Sequence, residues 1–300
     1  MLVIVAPGQG AQTPGFLSPW LEIPGFRDRV TAWSEIVGLD LAGFGTTATA
    51  DEIRDTAVAQ PLLVAASLAA YETLGATPDL VAGHSVGEFA AATMAGVLTA
   101  DQSLALIRER ARAMAEAAAA TATGMTAVLG GVDVLESLEK HGLTPANMNG
   151  AGQIVAGGTL EQLAAFKAEP PQRARLIPLS VAGAFHTGHM APAVERLRAA
   201  AAGVSPADPV VKLLSNADGA LVESGADLLE RLVAQVSRPV RWDLCMETMA
   251  AQGVTTMIEL LPGGTLTGLA KRGLTGVKTV ALKTPDDLET ARAAAKEALQ

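Results

Sequence analysis

The 300-residue chain has a single cysteine, Cys245, so it forms no internal disulfide and no thiolate metal cluster, and a reducing cytosol suits it. Basic residues are outnumbered: 22 Lys and Arg against 31 Asp and Glu leave a formal charge of -9. That balance argues against nucleic acid and anionic lipid as partners, and any acidic partner must find a local basic patch. Mean hydropathy is +0.31, yet no stretch of about 20 residues runs without charge, proline or polar interruption, so no membrane span is expected. The first residues lack the basic start of an export signal. There is no internal repeat, no low-complexity linker and no group of residues at metal-ligand spacing; His186 and His189 are only a pair. What the chain does have is core. With 49% apolar and 18% charged residues it fills one large domain, or a large domain with a smaller one inserted.

The apolar runs Leu2 to Ala6 and Leu80 to Ala82 each end in a glycine-containing turn and read as buried strands. Asp51 is expected to cap one short helix and Pro61 to open the next. Glu88 to Gly96 reads as a helix, and Asp101 as the cap of another that runs to about Ala120. Apolar strands alternating with helices predict an α/β fold with a mostly parallel sheet covered on both faces.

The middle has another rhythm. Strands are predicted at Met125 to Leu129, Pro145 to Asn149, Gln153 to Ala156 and Arg175 to Leu179, with helices at Val134 to His141 and Leu160 to Lys167. That order is the split βαβ of a ferredoxin-like unit, expected as an insert over about residues 122–184. After it, helices are expected at Met190 to Ala202, Leu228 to Val236 and Trp242 to Gln252, and strands at Val210 to Ser215 and Thr256 to Leu260.

Gly83-His84-Ser85-Val86-Gly87 lies between a predicted strand and a predicted helix. A serine on such a sharp turn projects its hydroxyl above the sheet, with the helix N-terminus and its free N–H groups beneath the reacting centre. Serine needs a base. Of the four histidines, His84 neighbours the serine and is expected to pack or orient, His141 sits at a solvated helix end, and His189 opens a helix at the surface. His186 follows the last strand of the insert, where the chain re-enters the large domain. That is a cleft position suited to a general base. On the helix from Leu104 to Met114, Arg112 falls on the solvent side while Arg110 lies in the apolar stripe. An inward guanidinium is costly unless it meets an anion, either an internal carboxylate or a substrate. Gly8-Gln9-Gly10 fails as a dinucleotide fingerprint, because Thr13 stands at the third glycine position. It is either a tight turn or a pocket wall from which Gln9 donates to an oxyanion. Cys245 reads as a packed apolar residue.

Taken in order, these residues resemble the malonyl-CoA:acyl-carrier-protein transacylase family, especially its actinobacterial members, over essentially the whole chain. The resemblance rests on Gly8-Gln9-Gly10-Ala11-Gln12, Gln60-Pro61, Gly83 to Glu88, Arg110, Gly183-Ala184-Phe185-His186-Thr187, Gln235 before Pro239, and Pro262 to Gly268. It implies an α/β-hydrolase-like large subdomain formed by residues 1–121 and 185–300, and a ferredoxin-like small one at 122–184. Ser85 would be the acylated nucleophile and His186 its general base, oriented by the backbone carbonyl of Gln235. The N–H groups of Gln9 and Val86 would form the oxyanion hole. Arg110 would hold the free malonyl carboxylate, and Phe185 would leave no room for an α-methyl branch. The implied partners are malonyl-CoA and acyl carrier protein, with no cofactor beyond the coenzyme A thioester substrate, in a cytoplasmic monomer. Leu261 departs from the glycine or small residue of many relatives, in a stretch expected to close the fold rather than the site. Lys271 and Arg272, or Arg196 and Arg198, are candidates for the carrier's docking patch. Two other readings compete. A serine hydrolase needs an acid on a strand-end loop between Ser85 and His186, where Glu109, Glu116 and Asp133 fall on predicted helices or turns. A docking module without chemistry has no use for both Ser85 and His186.

Overall fold

The computed structural model describes residues 1–298; residues 299–300, the end of the expected 185–300 segment, lie outside the described residues. The first part of the chain runs β1 (Leu2–Ala6), α1 (Phe26–Val37), α2 (Leu41–Thr46), α3 (Thr56–Leu74), β2 (Leu80–Gly83), α4 (Gly87–Met94) and α5 (Ala100–Ala120). The middle holds β3 (Thr123–Gly130), α6 (Val134–Lys140), β4 (Thr144–Gly150), β5 (Gln153–Thr159), α7 (Leu160–Ala168) and β6 (Ala174–Pro178). The last part holds α8 (Ala191–Ala201), β7 (Lys212–Leu213), α9 (Gly225–Gln235), β8 (Val240–Arg241) and α10 (Trp242–Ala251). It ends with β9 (Thr256–Glu259), α11 (Thr265–Gly273), β10 (Lys278–Ala281) and α12 (Asp287–Ala298).

One sheet has the order β10-β9-β1-β2-β7, with every pairing parallel. Its centre is buried on both faces, which is why the run Leu2 to Ala6 is apolar throughout rather than alternating. Leu2 and Ile4 join the core beneath α1, α3, α4 and α5, while Val3 and Val5 join a second core with Cys245 and Met249 of α10 and Leu266 of α11. The other sheet has the order β6-β3-β5-β4-β8; β3, β4, β5 and β6 pair antiparallel, and β8 adds a short parallel edge to β4. Its strands alternate. Val128 and Ala156 pack with Phe166 of α7 on one face, whereas Met125, Ala127 and Val155 turn to the opposite side.

α3 is long and apolar enough to cross a bilayer by length and composition, but most of it is buried inside the protein. It packs against α1 and α5, and a helix apolar on all sides belongs in such a core. Three local expectations are corrected. Pro61 does not open α3: Asp55 caps the helix by accepting from the Ala57 N–H, and Pro61 sits inside. Burial along the helix outweighs the hydrogen bond its ring removes. Asp101 does not cap α5; Thr99 does, in a reciprocal capping box with Gln102. Of the strand expected at Val210 to Ser215 only Lys212–Leu213 joins the sheet, as an edge beside β2, and Leu214 makes an isolated antiparallel bridge to Leu221.

Candidate active site

The parallel sheet reverses its direction of winding at β1, and its strand ends there form the floor of a cavity. The roof is the open face of the antiparallel sheet. The space is about 390 Å3, lined by Gln9, His84, Ser85 and Val86 from below, and by Met125, Ala127, Asn147, Asn149, Gln153 and Val155 from above. Phe185 and His186, on the segment that returns from the second sheet to the first, close the side.

Ser85 stands between β2 and α4 with φ 54°, in the left-handed region where a non-glycine residue is strained. The turn is possible because its flanks are glycine. A Cβ on Gly83 would overlap the Gly87 backbone, and one on Gly87 would overlap the Ala6 carbonyl. Asn216 braces the turn, since its Oδ1 accepts from the Ser85 N–H at 2.7 Å and its Nδ2 donates to the Gly83 carbonyl at 2.8 Å.

Ser85 Oγ lies 2.7 Å from His186 Nε2. His186 Nδ1 lies 2.9 Å from the main-chain oxygen of Gln235, which can only accept, so the proton sits on Nδ1 and Nε2 is free to take one from the serine. The orienting group is therefore a carbonyl and not a carboxylate, unlike the acid a hydrolase triad supplies. Burial pushes the His186 imidazole down to about 3, with the nearby Arg110 charge adding to the effect. A neutral base is thus kept at physiological pH.

Arg110 is 1% exposed and, among the described residues, has no salt bridge. Its Nη1 donates to Gln60 Oε1 at 2.7 Å, its Nη2 to Gln235 Oε1 at 2.7 Å, and Nη2 also lies 3.4 Å from Ser85 Oγ. Its Nε is buried without a partner. Of the alternatives open at the sequence level, a direct internal carboxylate is excluded among the described residues. Burial lowers the guanidinium to about 10, which leaves it charged.

The residues named from the sequence lie together. Ser85, His186, Gln9, Val86 and Phe185 line one cavity, Arg110 is buried behind that lining with Nη2 3.4 Å from Ser85 Oγ, and the Gln235 main-chain oxygen meets the imidazole. Among the described residues no acceptor is bonded to the N–H of Gln9 or Val86. Of the two readings open for His84, packing or orienting, the structure shows packing: its ring lies against Trp242 and its Nε2 pairs with Asn149 Oδ1 at 2.9 Å. His141 and His189 are elsewhere: His141 bonds the Ser137 carbonyl, and His189 lies on the short turn before α8. Cys245 is buried in the second core, where desolvation raises its thiol far above the usual range.

One expectation fails. The stretch after Pro262 does border the site, because Gly264, Thr265, Leu266, Gly268, Leu269 and Arg272 line the cavity. The buried Glu259 at the end of β9 holds it there, accepting from the N–H groups of Gly264, Leu266 and Thr267 at 2.8 to 2.9 Å. Leu261 itself packs in the core and accepts from Ser67 Oγ at 3.0 Å. Sequence reasoning also missed Asn216 and Glu88. Asn216 follows a strand that ends beside β2, and strand ends of a parallel sheet are where site residues gather.

Residues 3–294 match the acyl transferase domain family. The chain is 52% identical to the malonyl CoA-acyl carrier protein transacylase of Mycobacterium tuberculosis over 297 residues, 96% of this chain and 98% of the relative. It is 34% identical to the protein of that name in Bacillus subtilis over 310 residues, covering 99% of this chain and 98% of the relative. A crystal structure of MCAT from Mycobacterium tuberculosis superposes with a TM-score of 0.94 at 52% identity, over 97% of this chain and 99% of that one. A type II PKS acyl-carrier protein in complex with its malonyl-transacylase gives 0.90 at 30% identity, over 97% and 99%.

Proposed function

Because the chain belongs to the acyl transferase domain family, among the malonyl CoA-acyl carrier protein transacylases, we propose that it moves malonyl groups through Ser85, from malonyl-CoA to the phosphopantetheine thiol of acyl carrier protein. The reaction supplies extender units for fatty acid or polyketide synthesis. The observation that carries the assignment is the meeting of an imidazole and a guanidinium at one hydroxyl, with His186 Nε2 at 2.7 Å and Arg110 Nη2 at 3.4 Å from Ser85 Oγ.

Malonyl-CoA enters between the sheets and its free carboxylate pairs with Arg110, which fixes the thioester carbonyl beside Ser85. Ser85 Oγ attacks the carbonyl carbon while its proton passes to His186 Nε2. The N–H groups of Gln9 and Val86 stabilise the oxyanion, and the Gln235 carbonyl steadies the imidazolium. The carbon–sulfur bond breaks, the departing thiolate takes the proton from His186, and coenzyme A leaves a malonyl-serine ester. The carrier's thiol then gives its proton to His186 and attacks the ester. Malonyl-carrier protein departs and Ser85 regains its proton. Phe185, buried at the cavity wall, leaves no room for an α-methyl branch.

We read the parallel sheet and its helices as an α/β-hydrolase-like subdomain of residues 1–121 and 185–300, and residues 122–184 as a ferredoxin-like one. The order β6-β3-β5-β4, with α6 after β3 and α7 after β5, supports the second part. For carrier docking, Lys271 and Arg272 are the favoured pair. Both are exposed and Arg272 lies at the cavity mouth, whereas Arg196 is taken up by Glu109 and Glu116, and Arg198 by Glu230. The enzyme works without cofactor, as a cytoplasmic monomer.

Intact-mass measurement after brief incubation with malonyl-CoA tests the route. The native protein is expected to gain one malonyl group, Ser85→Ala none; a malonylated Ser85→Ala protein would overturn the nucleophile assignment.

A further inference from the structure

Glu88, three residues after the nucleophile, is 2% exposed and takes no part in the steps above. Its two oxygens face two donors. Oε1 accepts from the Asn216 main-chain N–H at 2.6 Å, and Oε2 from Gln235 Nε2. Neither partner can reverse its role. A main-chain N–H only donates, and the Gln235 amide must keep its oxygen toward Arg110, because a guanidinium has no acceptor. A carboxylate that accepts at both oxygens is therefore what the geometry calls for, and a neutral acid or an amide supplies one acceptor fewer. Through these bonds Glu88 reaches each active group at one remove. Asn216 Oδ1 holds the Ser85 N–H, Gln235 Oε1 holds the Arg110 fork, and the Gln235 main-chain oxygen holds His186.

We infer that the Glu88 carboxylate is a positioning residue for malonyl selection: together with the Ser85 carbonyl it clamps the Gln235 NH2, and so keeps the amide oxygen and the Arg110 fork bonded to it aimed at the incoming carboxylate. The inference rests on the reading that Arg110 receives the malonyl carboxylate. Without the carboxylate at 88, the Gln235 NH2 is held firmly only by the Ser85 carbonyl at 3.0 Å, and the amide oxygen that Arg110 Nη2 leans on loses its second brace. Capture of a charged acyl group then suffers more than attack on an uncharged one, because Ser85 and His186 retain their own contact.

The measurement is the rate of Ser85 acylation by malonyl-CoA relative to acetyl-CoA, read by intact mass in native protein and in Glu88→Gln. The substitution is expected to lower the malonyl-to-acetyl ratio by about tenfold or more, mainly through weaker malonyl-CoA binding. A ratio within about twofold of native overturns the inference.

Native protein gives a second readout that no folding defect can obscure. The ionisable groups acting on Glu88 are Arg110 from α5, Arg231 from α9 and Cys245 from α10; burial outweighs the two arginines and pushes the carboxyl up to about 7. The carboxylate is present above that value and lost below it. The ratio in native protein should therefore fall from about pH 8.5 to about pH 5.5, and a flat ratio across that range overturns the inference. In Glu88→Gln the step should vanish. Failure of the underlying reading looks different: Arg110→Ala then keeps the native malonyl-to-acetyl ratio, whereas failure of this inference alone leaves the ratio lowered in Arg110→Ala and native in Glu88→Gln.

Discussion

The two sheets divide the labour of the site unequally. The parallel sheet is enclosed on both faces, and the turns that leave its strand ends carry Gln9 and Ser85. The antiparallel sheet has α6 and α7 on one face only and gives the other to the cavity, where it contributes Met125, Ala127, Asn147 and Val155 but no ionisable group. Chemistry sits where burial is complete, because strained turns and buried charges persist only when the surroundings over-determine them. Shape sits where one face is open, because side chains there can change without unsettling a second core.

Arg110→Ala presses hardest on that division. Removing the buried cation should cut malonyl acylation of Ser85 by about a hundredfold or more while raising the relative rate with acetyl-CoA. Unchanged selectivity in initial-rate assays would make the arginine a structural residue. Phe166→Ala strikes the other sheet on its closed side, where Phe166 is fully buried among Val128, Leu138, Leu143 and Ala156. A loss of about 3–5 kcal/mol in denaturant unfolding is expected, with the acylation rate of the folded fraction near native. Loss of acylation in protein that remains folded would show that the roof does more than shape the cavity. The smallest effect belongs to the rim. Lys271→Ala should weaken transfer to carrier protein about threefold at low salt, leave Ser85 acylation unchanged and flatten the decline of transfer with ionic strength. Native transfer that ignores salt would count against charged docking.

How much of this was legible in the sequence depended on distance along the chain. The Ser85 elbow could be read because its strand, glycines and helix are consecutive, and turn chemistry is local. The inward aim of Arg110 could be read from the helical stripe around it. Nothing comparable marks Glu88 or the Gln235 side chain, whose partnership spans 147 residues of chain. The Gln235 carbonyl was named through family resemblance alone, since a main-chain acceptor leaves no imprint on residue type. Pro61 misled because its rule describes where proline is comfortable, whereas α3 draws its stability from burial. Thr99 differs: its Thr-Ala-Asp-Gln capping pattern is present in the sequence, but Asp101 two residues on is an equally good cap by residue type, and only the reciprocal bond to Gln102 separates them. The role of Gly264 to Leu269 was hidden because it depends on Glu259 drawing that stretch against the cavity.

The odd-numbered residues of β3 and β5 face the cavity while their even-numbered neighbours face α6 and α7, and β4, whose pairing with β5 shifts register twice, brings Asn147 and Asn149 to the same side. Such parity constrains how the roof can evolve. Single replacements at Met125, Asn147 or Val155 resize the chamber, but gain or loss of one residue within a strand would turn its lining inside out. Acyl preference in this lineage should therefore drift through exchanges at fixed positions, with strand lengths preserved more faithfully than the letters written on them.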